Sequence, residues 1–220
     1  MIDREDVLGA LGTVYDPELD EPITALRFVA ACEVEDGGAV SIRLRLPTPQ
    51  CAPNFAFLMA ADAAAAVRAL PDAGDVTVVL EDHYTGAEIN AAVAGEGGFG
   101  DAFPGETEGE LDALRELFRR KALVAREGRL LETVADPASA RLTDLDGPDA
   151  ARCRELRREL GIDASDGAPA FVRGDGTPVP AAELARFARM ASLTATSLEV
   201  NGGVCRSLLQ VRYGIEEVAA

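Results

Sequence analysis

Residues 27–53 read RFVAACEVEDGGAVSIRLRLPTPQCAP, and their alternation decides the fold. Phe28, Ala30, Cys32 and Val34 fall on one face of an extended segment. Asp36-Gly37-Gly38 supplies a tight reversal, because glycine accepts the backbone angles a hairpin turn demands. Beyond it Val40, Ile42, Leu44 and Leu46 point one way, and Ser41, Arg43 and Arg45 the other. A period of two with one apolar row predicts a β-hairpin with a single buried face. Pro47-Thr48-Pro49-Gln50-Cys51-Ala52-Pro53 ends it, since proline donates no ladder hydrogen bond.

Toward the C-terminus, Phe55, Leu58, Met59, Ala63, Ala66, Val67 and Leu70 recur at helical spacing in an alanine-rich run. Pro71-Asp72-Ala73-Gly74 closes that helix, Val76, Val78 and Leu80 predict a third strand, and a short helix follows from Gly86 to Val93. Toward the N-terminus, Asp3 caps a helix carrying Val7, Leu8, Leu11 and Val14. Asp16-Pro17 stops it and opens an acidic loop through Glu18, Leu19, Asp20, Glu21 and Pro22. The expected order is α-β-β-α-β-α, a small sheet covered by helices: an α/β domain of the α+β kind over residues 1–94.

Residues 95–106 begin GEGGFGDAFPG and predict a glycine-rich linker. Thr107-x-x-Glu110 is a capping-box pattern opening a helix with Leu111, Leu114, Leu117 and Phe118 that ends near Arg126. Further helices are expected over 148–160 and 180–191. Asn201-Gly202-Gly203 then separates a last short helix, Val204 to Tyr213. Residues 107–220 are thus a mostly helical extension. Its large apolar residues are sparse, so it is expected to fold by docking on the first part.

Of the 220 residues 48% are hydrophobic, which excludes a wholly disordered chain. Lys plus Arg is 21 against 38 Asp plus Glu, a net charge of −17, so nucleic-acid phosphates are repelled. The opening MIDREDVLGAL is too charged for a signal peptide, and no run of about 18 apolar residues predicts a membrane span. A cytoplasmic protein is expected. Its four cysteines, Cys32, Cys51, Cys153 and Cys205, are widely spaced and read as reduced thiols.

Cys51 stands where a strand ends and a helix begins. Free amide groups and the positive end of the helix there favour thiolate over thiol, and a thiolate serves as nucleophile or as a ligand for a soft metal. Cys205 follows a Gly-Gly pair near the expected first turn of the last helix, placed as a second ligand or a resolving thiol. Cys32 and Cys153 sit on apolar faces and read as core. His83, the single histidine, follows the third strand and offers an imidazole for iron or zinc. Asp16, Glu18, Asp20 and Glu21 offer oxygen ligands or form a solvated turn. No paired Cys/His motif of a structural zinc site is present. Three readings stand side by side at this point. One is a metal or cluster assembly factor. Another is a thiol redox protein in which Thr48-x-x-Cys51 matches the core of the peroxiredoxin signature and Cys205 resolves, although Leu44 stands where that signature has proline. The third is an interaction module without metal.

Val7 to about Val93 resembles the MIP-eighteen-type family of iron–sulfur cluster assembly factors, which includes SufT-like and PaaD-like proteins. The resemblance rests on Val14-Tyr15-Asp16-Pro17-Glu18-Leu19, the hairpin, Thr48-Pro49-Gln50-Cys51-Ala52-Pro53, and the run from Leu70 to Val78. The family's hallmarks, an Asp-Pro-Glu loop and a single cysteine after the second strand, map onto Asp16, Pro17, Glu18 and Cys51. Pro22 to Phe28 departs from the family, which usually has Asp-Leu-Gly there. Asp82-His83-Tyr84, Ala87-Glu88-Ile89-Asn90 and Phe118-Arg119-Arg120-Lys121-Ala122 resemble longer actinobacterial members associated with soluble di-iron monooxygenases. The resemblance implies a non-enzymatic maturation factor or metallochaperone. Its cargo is iron or an iron–sulfur cluster at Cys51, with Asp16 and Glu18 beside it and Cys205 and His83 as supplementary metal ligands. Its partners are a client metalloprotein, such as a di-iron monooxygenase, or other assembly factors, and a homodimer, a partner or a second cysteine completes the site.

Overall fold

Asp3 caps the first helix, α1 (Arg4–Leu11), accepting from the amides of Glu5 and Asp6 while Asp6 accepts from the Asp3 amide. The computed structural model describes residues 2–105 and 108–215. Two short strands follow, β1 (Tyr15–Asp16) and β2 (Glu21–Pro22), paired antiparallel around the acidic loop. The loop is no solvated turn: Asp16, Leu19 and Asp20 are buried. Immediately after it Ile23 and Leu26 are completely buried. Arg27 takes a φ of +60°, in the left-handed region that favours glycine. Arg27→Gly is expected to raise stability by about 0.5–1 kcal/mol, because a side chain in left-handed backbone costs about 1–2 kcal/mol and glycine's greater freedom in the unfolded chain offsets part of that. Urea unfolding of the two chains checks it.

The expected hairpin is β3 (Val29–Val34) with β4 (Val40–Arg45). Val40, Ile42 and Leu44 are buried and Ser41 and Arg43 exposed. One detail differs from the alternation. The pairing steps from Val29–Leu44 to Ala31–Arg43, so Ala30 is bulged out and the simple row of Phe28, Ala30, Cys32 and Val34 is broken. α2 (Pro53–Arg68) carries the chain across to β5 (Val76–Glu81), which pairs parallel with β4 in the sheet order β3-β4-β5. Ala60, Ala63, Ala64 and Val67 of α2 are buried with Val78 and Leu80 of β5; the small alanines let helix and sheet approach closely.

α3 (Gly86–Ala94) secures the open edge of β5. Asn90 Oδ1 accepts from the Leu80 amide at 2.8 Å and its Nδ2 donates to the Leu80 carbonyl at 3.1 Å. Asn90→Ala leaves both peptide groups unpaired and is expected to cost about 2 kcal/mol, read as a lowered melting temperature. The glycine-rich stretch holds α4 (Phe99–Ala102). Phe99 joins the core and meets Phe57 edge-on at 5.4 Å between ring centroids.

Three more helices follow: α5 (Glu108–Leu131), α6 (Gly147–Glu159) and α7 (Leu184–Tyr213). The Thr107 to Glu110 capping pattern lies outside the described residues. α5 runs past its expected end near Arg126 and through Gly128, where a Cβ would stand 2.5 Å from that of Ala191. The two helices expected over 180–191 and 204–213 are one, α7, because Asn201-Gly202-Gly203 is helical. Helical glycine costs only about 1 kcal/mol relative to alanine, less than the packing around it returns. The chain divides into two compact units, Met1–Asp112 with Gly202–Ala220, and Ala113–Asn201. The second has a hydrophobic cluster of its own, including Leu123, Leu142, Cys153, Leu156 and Phe171. No helix among the described residues is long and apolar enough to cross a membrane.

Candidate functional site

β4 and β5 are parallel, so the loops that follow them leave the same end of the sheet, the end where open sheets ordinarily bind ligands. The loop after β4 carries Cys51 and the loop after β5 carries His83. They are joined by two hydrogen bonds: the Tyr84 amide donates to the Pro49 carbonyl at 3.0 Å, and His83 Nε2 donates to the Cys51 carbonyl at 2.8 Å. The other ring nitrogen, Nδ1, accepts from the Thr85 amide at 3.3 Å. Both nitrogens of His83 are therefore engaged, Nε2 with the Cys51 carbonyl and Nδ1 with Thr85.

Cys51 is half-buried and unoxidised. It stands one residue before Ala52, the N-cap of α2, with Pro53 in the first turn. No side chain of Ala52 caps the helix, so the backbone end that the sequence places beside the sulfur carries no cap from that residue. Thr48 Oγ1 lies 3.5 Å from Cys51 Sγ. Prolines on both sides fix the loop, as its sequence suggests.

Asp16 is buried, and its Oδ1 accepts from the amides of Glu18 and Leu19, each at 2.9 Å. Burial raises its pKa to about 6 against the pull of these amides, with the charges of Glu18 and Glu21 adding to the rise. Glu18 is held in the same turn.

The final turns of α7 lie across these loops. Leu209 is buried in the core of this unit. Arg206 Nη1 meets both carboxylate oxygens of Glu21, at 2.9 and 2.8 Å. Arg212 donates to the carbonyls of Leu46 at 3.2 Å and Asp82 at 2.9 Å. The guanidiniums of Arg45 and Arg212 each lie over the Tyr213 ring, 5.1 and 5.0 Å from its centroid. Gly202 lies against the same ion pair: a Cβ there would come 2.8 Å from Glu21 Oε1, the movable end of a side chain, and would shift that carboxylate. None of these contacts is legible in the sequence. The buried side of the helix, Gly202, Cys205 and Leu209, is the signal that could have shown them, and reading the Gly-Gly pair as a break hides it.

Cys205 is corrected in one respect. It lies well inside α7, not at a helix start, so no free helix amides favour its thiolate. Burial pushes its pKa up to about 11, and the charges of Asp16, Cys51 and Glu18 push the same way. Cys32 and Cys153 are buried core residues whose thiols burial pushes up. Among the described residues, no group of three or more His, Cys, Asp and Glu is placed to hold a metal ion. His83 meets the peptide of Cys51, and Arg206, next to Cys205 in the chain, meets Glu21 at the end of the acidic loop; no closed ligand set is formed among the described residues.

A small α+β domain with one loop cysteine at the open end of its sheet, and a buried carboxylate in the acidic loop before that sheet, is the class of protein these features define. Residues 4–80 match the family model described as iron-sulfur cluster assembly protein. Over 90 residues the chain is 37% identical to an uncharacterized protein of Methanocaldococcus jannaschii, a stretch covering 41% of this chain and 93% of that protein. The chain belongs to this family of iron–sulfur cluster assembly proteins. The matched span holds Asp16, Glu18 and Cys51; His83 and Cys205 lie beyond it.

Proposed function

We propose that this protein is a non-enzymatic maturation factor that holds iron or an iron–sulfur cluster in transit at Cys51 and passes it to a client metalloprotein. The observation that carries the reading is the placement of Cys51, half-exposed on a proline-fixed loop at the end of the sheet from which the loops after the two parallel strands leave. Thiolate is the ligand such cargo prefers. Two thiols cannot enclose a cluster, so client or partner thiols supply the rest, and an incomplete hold suits delivery. His83 acts here as a positioning residue, through the Cys51 carbonyl. Asp16 and Glu18 set the charge beside the sulfur. The acidic chain fits a basic patch on the client. A di-iron monooxygenase is the client that the stretches 82–90 and 118–122 suggest.

The thiol redox reading is disfavoured by Cys205. An attacking thiol works best with a pKa near ambient pH, and burial holds this one at about 11.

The test is anaerobic reconstitution with iron and sulfide, followed by metal analysis of the parent, Cys51→Ser and Cys205→Ser. The parent is expected to retain iron, Cys51→Ser to lose it at least about tenfold, and Cys205→Ser to hold it less tightly. A parent that retains no iron, or a Cys51→Ser chain that retains it fully, overturns the proposal. Cys51-dependent peroxide consumption without bound iron points to the redox reading instead. Co-purification of a monooxygenase subunit tests the client.

A further inference from the structure

α7 is 30 residues long, about 45 Å at 1.5 Å per residue. One side of it is buried through Phe187, Ala191, Ala195, Gly202 and Leu209. The opposite side carries a second apolar row that the chain leaves in water: Met190, Leu193, Val200, Val204 and Val211, each more than half exposed, with Leu208 beside them at 42%. Ser197 and Ser207, both exposed, complete the row. Positions 190, 193, 197, 200, 204, 207 and 211 step alternately by three and four residues. That is the seven-residue period of a helix seam that packs against another helix of the same period.

We infer that this face of α7 is a self-association surface, occupied by the same face of a second copy of this chain. Three observations favour a second copy over a different partner. First, the row is self-complementary. Under a two-fold axis the same strip serves both sides, and its small residues, Ser197, Gly203 and Ser207, let the two backbones approach. Second, the face is poor in charge and has no acidic residue. Seven residues flank the seam: Arg189, Thr194, Thr196, Asn201, Gly203, Leu208 and Gln210. At the chain's average of 27% charged, roughly four of these fourteen positions would carry a charge, and Arg189 alone does. Two molecules of net charge −17 repel wherever their ordinary surfaces meet, and a strip without acidic residues is where they can touch. Third, the six exposed apolar side chains offer roughly 600 Å² per copy, the upper end of what a monomer leaves exposed in one patch. With the polar seam residues this reaches the ~800 Å² per partner of a stable interface. The surface does not involve Cys51, so it stands or falls apart from the cargo reading.

Sedimentation equilibrium on the full chain tests the inference. Between about 1 and 100 µM the parent is expected to reach the mass of two chains. Association is expected to tighten as salt rises from about 50 to 500 mM, because salt screens the repulsion between acidic bodies and leaves the apolar seam intact. Leu193→Glu with Val204→Glu places four carboxylates in the seam and is expected to give one chain throughout, with unchanged helix content by circular dichroism. Val211→Lys, at the most exposed position of the row, serves as a milder variant and is expected to weaken association at least about tenfold. A parent that stays single to about 100 µM overturns the inference, including when its α7 face then proves to hold a client or a vesicle. So does a dimer that both variants leave unchanged.

Discussion

At pH 7 the Asp16→Asn chain is expected to be more stable than the parent by about 2 kcal/mol. Asp16 is almost fully enclosed and its pKa is raised to about 6, first by burial and then by the neighbouring carboxylates. Between about pH 4 and pH 6 the unfolded chain has released this proton while the folded chain still holds it. Each rise in pH through that window therefore favours unfolding, by about 3 kcal/mol in all for a shift of about two units. Below the window the carboxyl is neutral in both states and no cost remains; above it the cost is complete. Asparagine keeps an oxygen for the Glu18 and Leu19 amides and cannot ionise, so the variant should lose this slope. Urea titrations of both chains at pH 4, 5, 6 and 7 isolate the effect as a difference; parallel curves would refute it. Retained iron in the same variant would show that Asp16 is dispensable for cargo. Iron lost while stability rises would show that the buried carboxylate is kept for its chemistry.

Glu127→Ala is expected to cost about 3–5 kcal/mol, a third or more of the stability of an ordinary small domain. Glu127 and Arg157 are completely buried and meet at 2.6 Å. The other Glu127 oxygen accepts from the Val172 amide at 2.8 Å, and Arg157 donates to the carbonyls of Pro169 at 2.9 Å and Ala170 at 2.7 Å. Burial raises the pKa of Glu127, opposed by Arg157. Removing the carboxylate leaves a guanidinium charge and a peptide N–H without their partner, in a place water does not reach. Glu127→Gln keeps an acceptor for Val172 and should cost less. Amide exchange over residues 113–201 reads the result, and a Glu127→Ala chain within about 1 kcal/mol of the parent would contradict it.

The hairpin, α2, β5 and the core positions of Cys32 and Cys153 were legible because local periodicity dictates them: Val40, Ile42 and Leu44 cannot be turned outward without exposing the core. The bulge at Ala30 was not, since it is set by Phe28 bonding both Ile23 and Arg45. The continuity of α7 was hidden by two glycines whose intrinsic preference tertiary packing overrides. Of the candidate site residues, Asp16, Glu18 and Cys51 stand out in the sequence because they lie within the span that matches the family. The role of His83 at the Cys51 carbonyl and the arrival of Arg206 and Arg212 depend on long-range closure, for which sequence spacing carries no signal.

Arg206 and Glu21 are 185 residues apart in the chain. On a translating ribosome the loops carrying Cys51 and His83 therefore emerge well before the helix that lies over them. At 5–20 residues per second the interval is on the order of ten seconds. During it the nascent polypeptide shows its loop cysteine uncovered, and the contacts of Arg206 and Arg212 form only once that helix has emerged.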